Sequence, residues 1–156
     1  PLYIILDGIE DPHNLGAILR TADAVGMHGV IIPQRRAVGL TAAVSRTSAG
    51  AVEYIPVARV SNISQSISHL QQEGIWTVGV DMDGDKDYLQ ADYHQPVALV
   101  IGAEGKGISR LVKERCDQIV SIPMKGHVAS LNASVAAALV MYEAARQRTE
   151  SSSAGC

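Results

Sequence analysis

A lone carboxylate, Glu104, stands among three glycines, Gly102, Gly105 and Gly107, directly after the apolar run VALVI at residues 97–101. Glycine loops that follow strands usually cradle phosphate, because backbone N–H groups can approach an anion closely. A carboxylate in such a loop repels phosphate. The spacing also fails both phosphate patterns. In G-x-x-x-x-G-K-[ST] the first glycine would fall at Val100, and G-x-G-x-x-G is reversed here and comes late in the chain. The glycines therefore read as bends that bring backbone close to something flat or neutral. A ligand with a positive centre would be attracted by Glu104.

Two more polar clusters could carry chemistry. In IPMKGHVASLNAS, residues 122–134, Pro123 ends a strand and Lys125, Gly126 and His127 make a loop. Ser130 is the expected N-cap of the closing helix, with Asn132 in its first turn. From residue type alone both could simply cap and face water. In DPHNLGAILR, residues 11–20, Asp11 is the expected N-cap and Pro12 suits the first helical position. Asn14 and Arg20 stand on that helix about a third of a turn apart around its axis, so they converge only on a broad ligand. A fourth stretch, DMDGDKDY at residues 81–88, alternates Asp81, Asp83, Asp85 and Asp87 around Gly84. A calcium loop needs Glu at its twelfth position, where Asp92 stands, and a flanking helix pair. The stretch reads instead as a solvated acidic turn.

These clusters need elements to position them. Residues 2–6, 29–33, 75–80, 97–101 and 118–123 are short apolar runs that predict strands. VEYIPV, residues 52–57, is a weaker strand, since Pro56 removes a ladder donor. Between the runs lie helical patterns. Leu15, Ile18, Leu19, Ala22 and Val25 share one stripe and Gly26 stops that helix. Residues 40–49 predict a short helix with Leu40, Ala43, Val44 and Thr47 inward, after a basic loop at 34–39. Ile63, Ile67 and Leu70 mark another, residues 108–115 a further short one. The closing helix begins near Leu131, with Leu131, Val135, Ala138, Leu139 and Tyr142 on one stripe. Alternating strands and helices, with strands apolar throughout, predict an α/β domain: a mostly parallel sheet with helices on both faces. Ligands of such sheets sit beyond the C-terminal strand ends, where all three clusters fall.

The bulk numbers narrow the class. The 156 residues suffice for one domain with a real core, burying about 70% of the unfolded surface. With no Phe and one Trp, the core must be filled by Ile, Val, Leu and Ala. A net charge of −3 argues against binding nucleic acid over the whole surface but leaves room for a local basic patch. Cys116 and Cys156 make neither a metal spacing nor a disulfide scaffold, which fits a reduced, cytoplasmic protein. No apolar run of ~20 residues points to a membrane span. The sequence starts at Pro1 without Met and is read as a fragment lacking an N-terminal part.

DPHNLGAILRTADAVG, LVIGAEGKGIS and IPMKGHVASLNASVAAALVMYE resemble, in order and spacing, the three motifs of the SpoU (TrmH) family of SPOUT RNA methyltransferases. The resemblance runs from about Leu6 to Arg148 and is strongest to the branch that methylates a guanosine ribose in 23S ribosomal RNA. It implies S-adenosyl-L-methionine as cofactor, a C-terminal trefoil knot and a homodimer with the active site near the subunit interface. It implies a catalytic domain over residues 1–148 and a separate N-terminal RNA-binding domain missing from this sequence, while the polar TESSSAGC, residues 149–156, reads from its composition as a flexible tail. Carried over by motif, Asn14, Arg20, Glu104, Ser130 and Asn132 form the catalytic set. Gly102, Ile122 and Leu131, with Met124, Val78, Gly79 and Ile101 nearby, hold the cofactor.

The implied reaction moves a methyl from a sulfonium to a ribose 2′-hydroxyl, which needs no metal but needs in-line placement and removal of a proton. Glu104 is placed to attract the sulfonium, orient the hydroxyl or take its proton. Arginine essentially never deprotonates, so Arg20 is expected to hold the neighbouring phosphate rather than act as base. Arg35, Arg36, Arg46, Lys106, Arg110, Lys113 and Lys125 are the candidates for the RNA backbone. The competing readings are a tRNA ribose methyltransferase of the same family, a non-catalytic RNA-binding paralogue, and an unrelated nucleotide-binding domain. The missing phosphate patterns disfavour the last.

Overall fold

Seven parallel strands form the frame on which everything else hangs. The computed structural model describes residues 1–34 and 42–154. The first half contains β1 (Leu2–Asp7), α1 (Pro12–Val25), β2 (Gly29–Pro33), α2 (Ala42–Thr47), β3 (Val57–Val60) and α3 (Ile63–Gln72). The second contains β4 (Trp76–Val80), β5 (Lys86–Asp87), β6 (Val97–Gly102), α4 (Arg110–Arg115), β7 (Gln118–Ser121) and α5 (Ala133–Ala154). The sheet order is β3-β2-β1-β6-β4-β7-β5, and every pairing is parallel. All six residues of the central strand β6 are buried. That is the signature of a strand covered on both faces.

Side-chain alternation along the strands splits the interior in two. Leu2, Ile4 and Leu6 of β1 join Val97, Leu99 and Ile101 of β6 in a core that includes Leu15, Ile18 and Leu19 of α1 and Val140 and Met141 of α5. Ile5, Ala98 and Val100 face the other way, against Ile63 and Ile67 of α3 and Val112 of α4. Helix α1 starts as its sequence requires: the Asp11 carboxylate accepts from the His13 amide at 3.0 Å, and Pro12 follows. It ends at Gly26 in the left-handed conformation (φ 79°). Among the described residues no helix is long and apolar enough to cross a membrane.

Four local expectations are corrected. The weak strand at 52–57 is a 3₁₀ turn at Ala51–Glu53, and the strand β3 begins only at Val57. Past Pro56 the ladder has its donors back. The short helix is α2, with Val44 buried, while Leu40 and most of the basic loop lie outside the described residues. Helix α5 continues to Ala154, through the polar residues expected as a tail. Its core face is Ala133, Ala137, Val140, Met141 and Ala144, whose small members let the helix sit close to the sheet. The larger stripe looks outward: Val135 is 48%, Leu139 37% and Tyr142 56% exposed. A helix apolar on two sides gives no periodicity that picks the inner one.

The C-terminal half of α5 is tied down by polar contacts. Gln147 bridges the Tyr93 amide (2.9 Å) and the Ala91 carbonyl (3.0 Å), and Arg148 donates to the carbonyls of Tyr93, Gln95 and Pro1. Glu143, buried, accepts two hydrogen bonds from Arg146 (2.8 and 2.9 Å), and that guanidinium holds its carboxyl below the usual carboxylate range.

Candidate functional site

The strands β1, β6 and β4 lie side by side and end level with one another, Asp7 opposite Gly102 and Val80 opposite Ile101. Beyond their ends the chain makes a tight loop, residues 102–109. The Gly107 amide donates to the Ala103 carbonyl at 2.7 Å, which leaves Glu104 at the exposed tip. Glycine is required at all three positions, Gly105 having φ 81°. Gly107 has φ 69°, and a Cβ there would stand 2.5 Å from Asp81 Oδ2. A Cβ on Gly102 would collide with the backbone of Gly107 and Ile108. The sequence thus spends its glycines on folding the loop back over its own strand.

This loop, the β4 end (residues 80–83) and the segment between β7 and α5 enclose a cavity of about 390 Å³. That is within the range of small-molecule sites, ~300–1,000 Å³. Ile101, Ile122, Met124 and Leu131 give it apolar walls; Gly102 supplies bare backbone; Glu104 and Ser130 line it with polar groups, and Lys106, Arg110 and Lys113 add cations. Seven of the twelve residues expected in the catalytic and cofactor sets are therefore here: Glu104, Ser130, Gly102, Ile101, Ile122, Met124 and Leu131.

The other five are elsewhere. Val78 is fully buried in the core, and Gly79 is packed against Ile119, Ile108 and Cys116. It is Val80, at the strand tip, that reaches the cavity. Asn132 is the N-cap of α5, correcting the assignment to Ser130. Its side chain accepts from the Ser134 amide at 2.9 Å and the Val135 amide at 3.3 Å, and its carbonyl receives the first helical bond from Ala136. Asparagine and serine cap equally well. Starting the helix at Asn132 leaves Ser130 and Leu131 in the loop, free to line the cavity. Asn14, half-buried, and Arg20, exposed, lie on α1 and do not line the cavity. Among the described residues neither the Arg20 nor the Glu104 side chain makes a hydrogen bond or ion pair.

Of the basic candidates, Lys106 and Arg110 are at the cavity, and Arg110 pairs with Glu114 at 3.2 Å. Arg46 on α2 and Lys125 in the loop before α5 are exposed and away from it. Arg35 and Arg36 lie outside the described residues. Lys113 is engaged internally: its Nζ is 2.7 Å from Asp83 Oδ2 and 3.7 Å from Asp81 Oδ1, and the bond to Asp83 raises its pKa above the ordinary lysine value.

Asp81, Met82 and Asp83 line the cavity and were read from sequence only as a solvated turn. Asp81 and Asp83 are committed to Lys113, and Asp87 caps the next turn by accepting from the Leu89 amide at 2.9 Å. The strand-end rule was the signal that could have found them, since WTVGV ends at Val80 and its next residues belong beyond the sheet.

Comparison with known proteins adds to this geometry. A model of the SpoU rRNA Methylase family matches residues 1–142. YacO of Bacillus subtilis, placed by its description in the TrmH family of tRNA/rRNA methyltransferases, is 57% identical over 148 residues, 95% of this chain and 59% of that protein. The chain thus spans about three fifths of the length of the curated relatives it matches. Among solved structures, the SpoU methyltransferase AviRb from Streptomyces viridochromogenes, in complex with the cofactor AdoMet, superposes with a TM-score of 0.87 at 37% identity, over 94% of this chain and 57% of that one. The TrmH/SpoU tRNA modifying enzyme of A. aeolicus gives 0.88 at 29% identity, over 97% and 77%.

Proposed function

The chain belongs to the SpoU rRNA methylase family, and we propose that it is an S-adenosyl-L-methionine-dependent enzyme that methylates a ribose 2′-hydroxyl, that of a guanosine in 23S ribosomal RNA. The observation that carries this reading is the cavity itself: apolar walls and bare glycine backbone with one carboxylate on the rim, at the strand ends of a fold shared with an AdoMet-bound relative. The donor set fits. Ile101, Ile122, Met124 and Leu131 can sandwich a flat base, and Glu104 suits a positive centre where a phosphate would be repelled. The bound donor supplies a methyl group already activated on a sulfonium. The trefoil knot implied by the motifs belongs to the same reading.

The chain's own residues then have separate tasks. Glu104 orients the ribose hydroxyl and accepts its proton as it attacks. Ser130, on the segment before α5, holds a second polar contact to the ribose or the donor. Arg20 grips the phosphate beside the target ribose with its planar fork, and Asn14 positions that group. Both stand on α1 outside their own chain's cavity, which is what a site shared between two copies requires. The homodimer is therefore part of the proposal. Its face is the groove formed by Ala17 and Thr21 of α1 with Val135, Leu139 and Tyr142 of α5. Lys106 and Arg110, joined by Arg35, Arg36, Arg46 and Lys125, guide the RNA backbone, so binding weakens steeply with salt.

The test is transfer of labelled methyl to ribosomal RNA fragments and to tRNA, with the modified nucleotide mapped. We expect a ribose-methylated guanosine in 23S fragments, and Glu104→Gln to lower kcat by about 10²-fold or more. The likeness to the A. aeolicus tRNA enzyme keeps tRNA as the second reading, and label appearing only in tRNA selects it. Donor binding without transfer to either RNA, in a protein carrying its full natural length, would leave the non-catalytic paralogue.

A further inference from the structure

The exit of the Glu104 loop is held from both sides. Ile108 and Ser109 are consecutive, and each gives its backbone N–H to a carboxylate. Ile108 donates to Asp81 Oδ2 at 3.1 Å, and Ser109 donates to Asp7 Oδ2 at 2.8 Å. Asp7 is the last residue of β1, and Asp81 is the first residue beyond β4. Those are the two strands that flank β6, from which the loop springs. Asp7 is paired with Gly102, and Asp81 lies one step past the pair Val80–Ile101. Both carboxylates thus stand level with the loop's first residue and grip its last two.

This arrangement is more specific than turn chemistry. The Asp81 side chain is only 8% exposed, so its charge is largely taken out of water and must be compensated. The compensation is present. Oδ2 takes the Ile108 amide, Oδ1 takes the Asp83 amide at 3.3 Å, and Lys113 Nζ lies 3.7 Å away. Gly107 makes it fit, because any side chain there would displace that carboxylate. Amides bound to ionised acceptors make stronger bonds than neutral pairs. These two bonds add to the Gly107–Ala103 hydrogen bond and the buried Ile108 side chain in fixing a loop that has three glycines and an exposed tip.

We propose that Asp7 and Asp81 are positioning residues: a two-carboxylate clamp that keeps the loop folded over the cavity, sets where Glu104 stands, and through that shape sets affinity for the methyl donor. The clamp follows from the hydrogen bonds alone; what the cavity binds rests on the function proposed above.

The experiment pairs two readouts on the same proteins. Amide hydrogen exchange of Ile108 and Ser109 is followed by NMR without ligand, and S-adenosylhomocysteine binding is measured by calorimetry. The clamp expects both amides to be protected in the wild type, Asp81→Ala to release Ile108, and Asp7→Ala to release Ser109. Each Ala variant weakens S-adenosylhomocysteine by about ten-fold, the scale of a hydrogen bond to a charged group, while Asp81→Asn and Asp7→Asn, which keep an acceptor, recover to within about three-fold. Thermal midpoints of the Asn variants stay at the wild-type value. Unprotected amides in the wild type, or Ala variants that melt lower yet bind S-adenosylhomocysteine as tightly, overturn the proposal. A wild type that binds no S-adenosylhomocysteine removes the methyltransferase reading instead, and the exchange of the two amides still decides the clamp.

Discussion

Cys116 shows how one side chain's surroundings can be turned into a pH-dependent stability. Its thiol sits between α4 and β4, donating to the Val112 carbonyl at 3.4 Å and packed where a Cβ on Gly79 would be 3.0 Å away. Burial, helped by the carboxylates of Asp117 and Asp7, pushes its pKa up to about 12. The neutral thiol is therefore favoured by folding. The stability this gives is complete below the ordinary thiol range and is lost as pH rises from there toward about 12, because the unfolded chain ionises first. Between pH 8 and pH 10.5 the stability advantage of wild type over Cys116→Ala should shrink by about 2 kcal/mol. Urea unfolding of both proteins at the two pH values measures it, and a constant difference refutes it. The variant's small cavity cancels, being the same at both pH values. At this scale, residue type was a good guide where a side chain stood out against its context. Glu104 among glycines was such a case as far as place goes, since it lines the cavity. It was a poor guide for Asp81, whose importance lies in one amide 27 positions away.

Helix ends and helix faces belong to the next scale. Ser130 and Asn132 are both good caps, and only the path of the loop decides between them. That path puts Leu131 into the cavity, which needs the helix to begin after Asn132. Asn132→Ala should cost about 1 kcal/mol, since the amides of Ser134 and Val135 lose their acceptor. Ser130→Ala should stay within about 0.5 kcal/mol. Thermal or chemical unfolding separates the two, and equal losses would return the cap to Ser130. Five of the seven strands and α1 were legible because one local signal sufficed for each, an apolar run, an Asp-Pro start, a glycine stop; β3, whose VARV is no apolar run, was placed too early, and β5, two residues inside the acidic turn, was missed. Helix α5 was legible in existence but not in orientation. Its core stripe pairs Val140 and Met141 with the small Ala133, Ala137 and Ala144, while the outward stripe carries the bulky Val135, Leu139 and Tyr142, so the apolar pattern alone does not separate the two faces. The sheet selected the small residues because they allow close approach.

For the molecule as a whole, the outward stripe and the proposed sharing of the site between two copies raise one question. The parallel sheet and a site at its C-terminal edge followed from strand–helix alternation; the long-range pairings of β4 with β7 and of β7 with β5 did not, since no local signal specifies them. The sheet leaves Val135, Leu139 and Tyr142 on the surface beside Ala17 and Thr21 of α1. Full burial of an exposed side chain of this size is worth about 1.5–3 kcal/mol, and these three, already half covered, keep only part of that gain for a second copy seated on this face. Arg20 lies one helical turn from Ala17, on the element that would meet the partner. A second copy would thus bring its own Arg20 and Asn14 toward a cavity that holds Glu104 but no free arginine fork from α1. Leu139→Glu tests this directly, because the position is exposed enough for the single chain to tolerate a carboxylate. In sedimentation the wild type should behave as two chains and Leu139→Glu as one, with the melting of the isolated chain otherwise intact. The monomer should still bind S-adenosylhomocysteine, since the cavity is made within one chain, yet lose methyl transfer, since Arg20 must come from the other. A wild type that sediments as a single chain, or a monomeric variant with full transfer, would place the whole site inside one copy and leave Arg20 without a task.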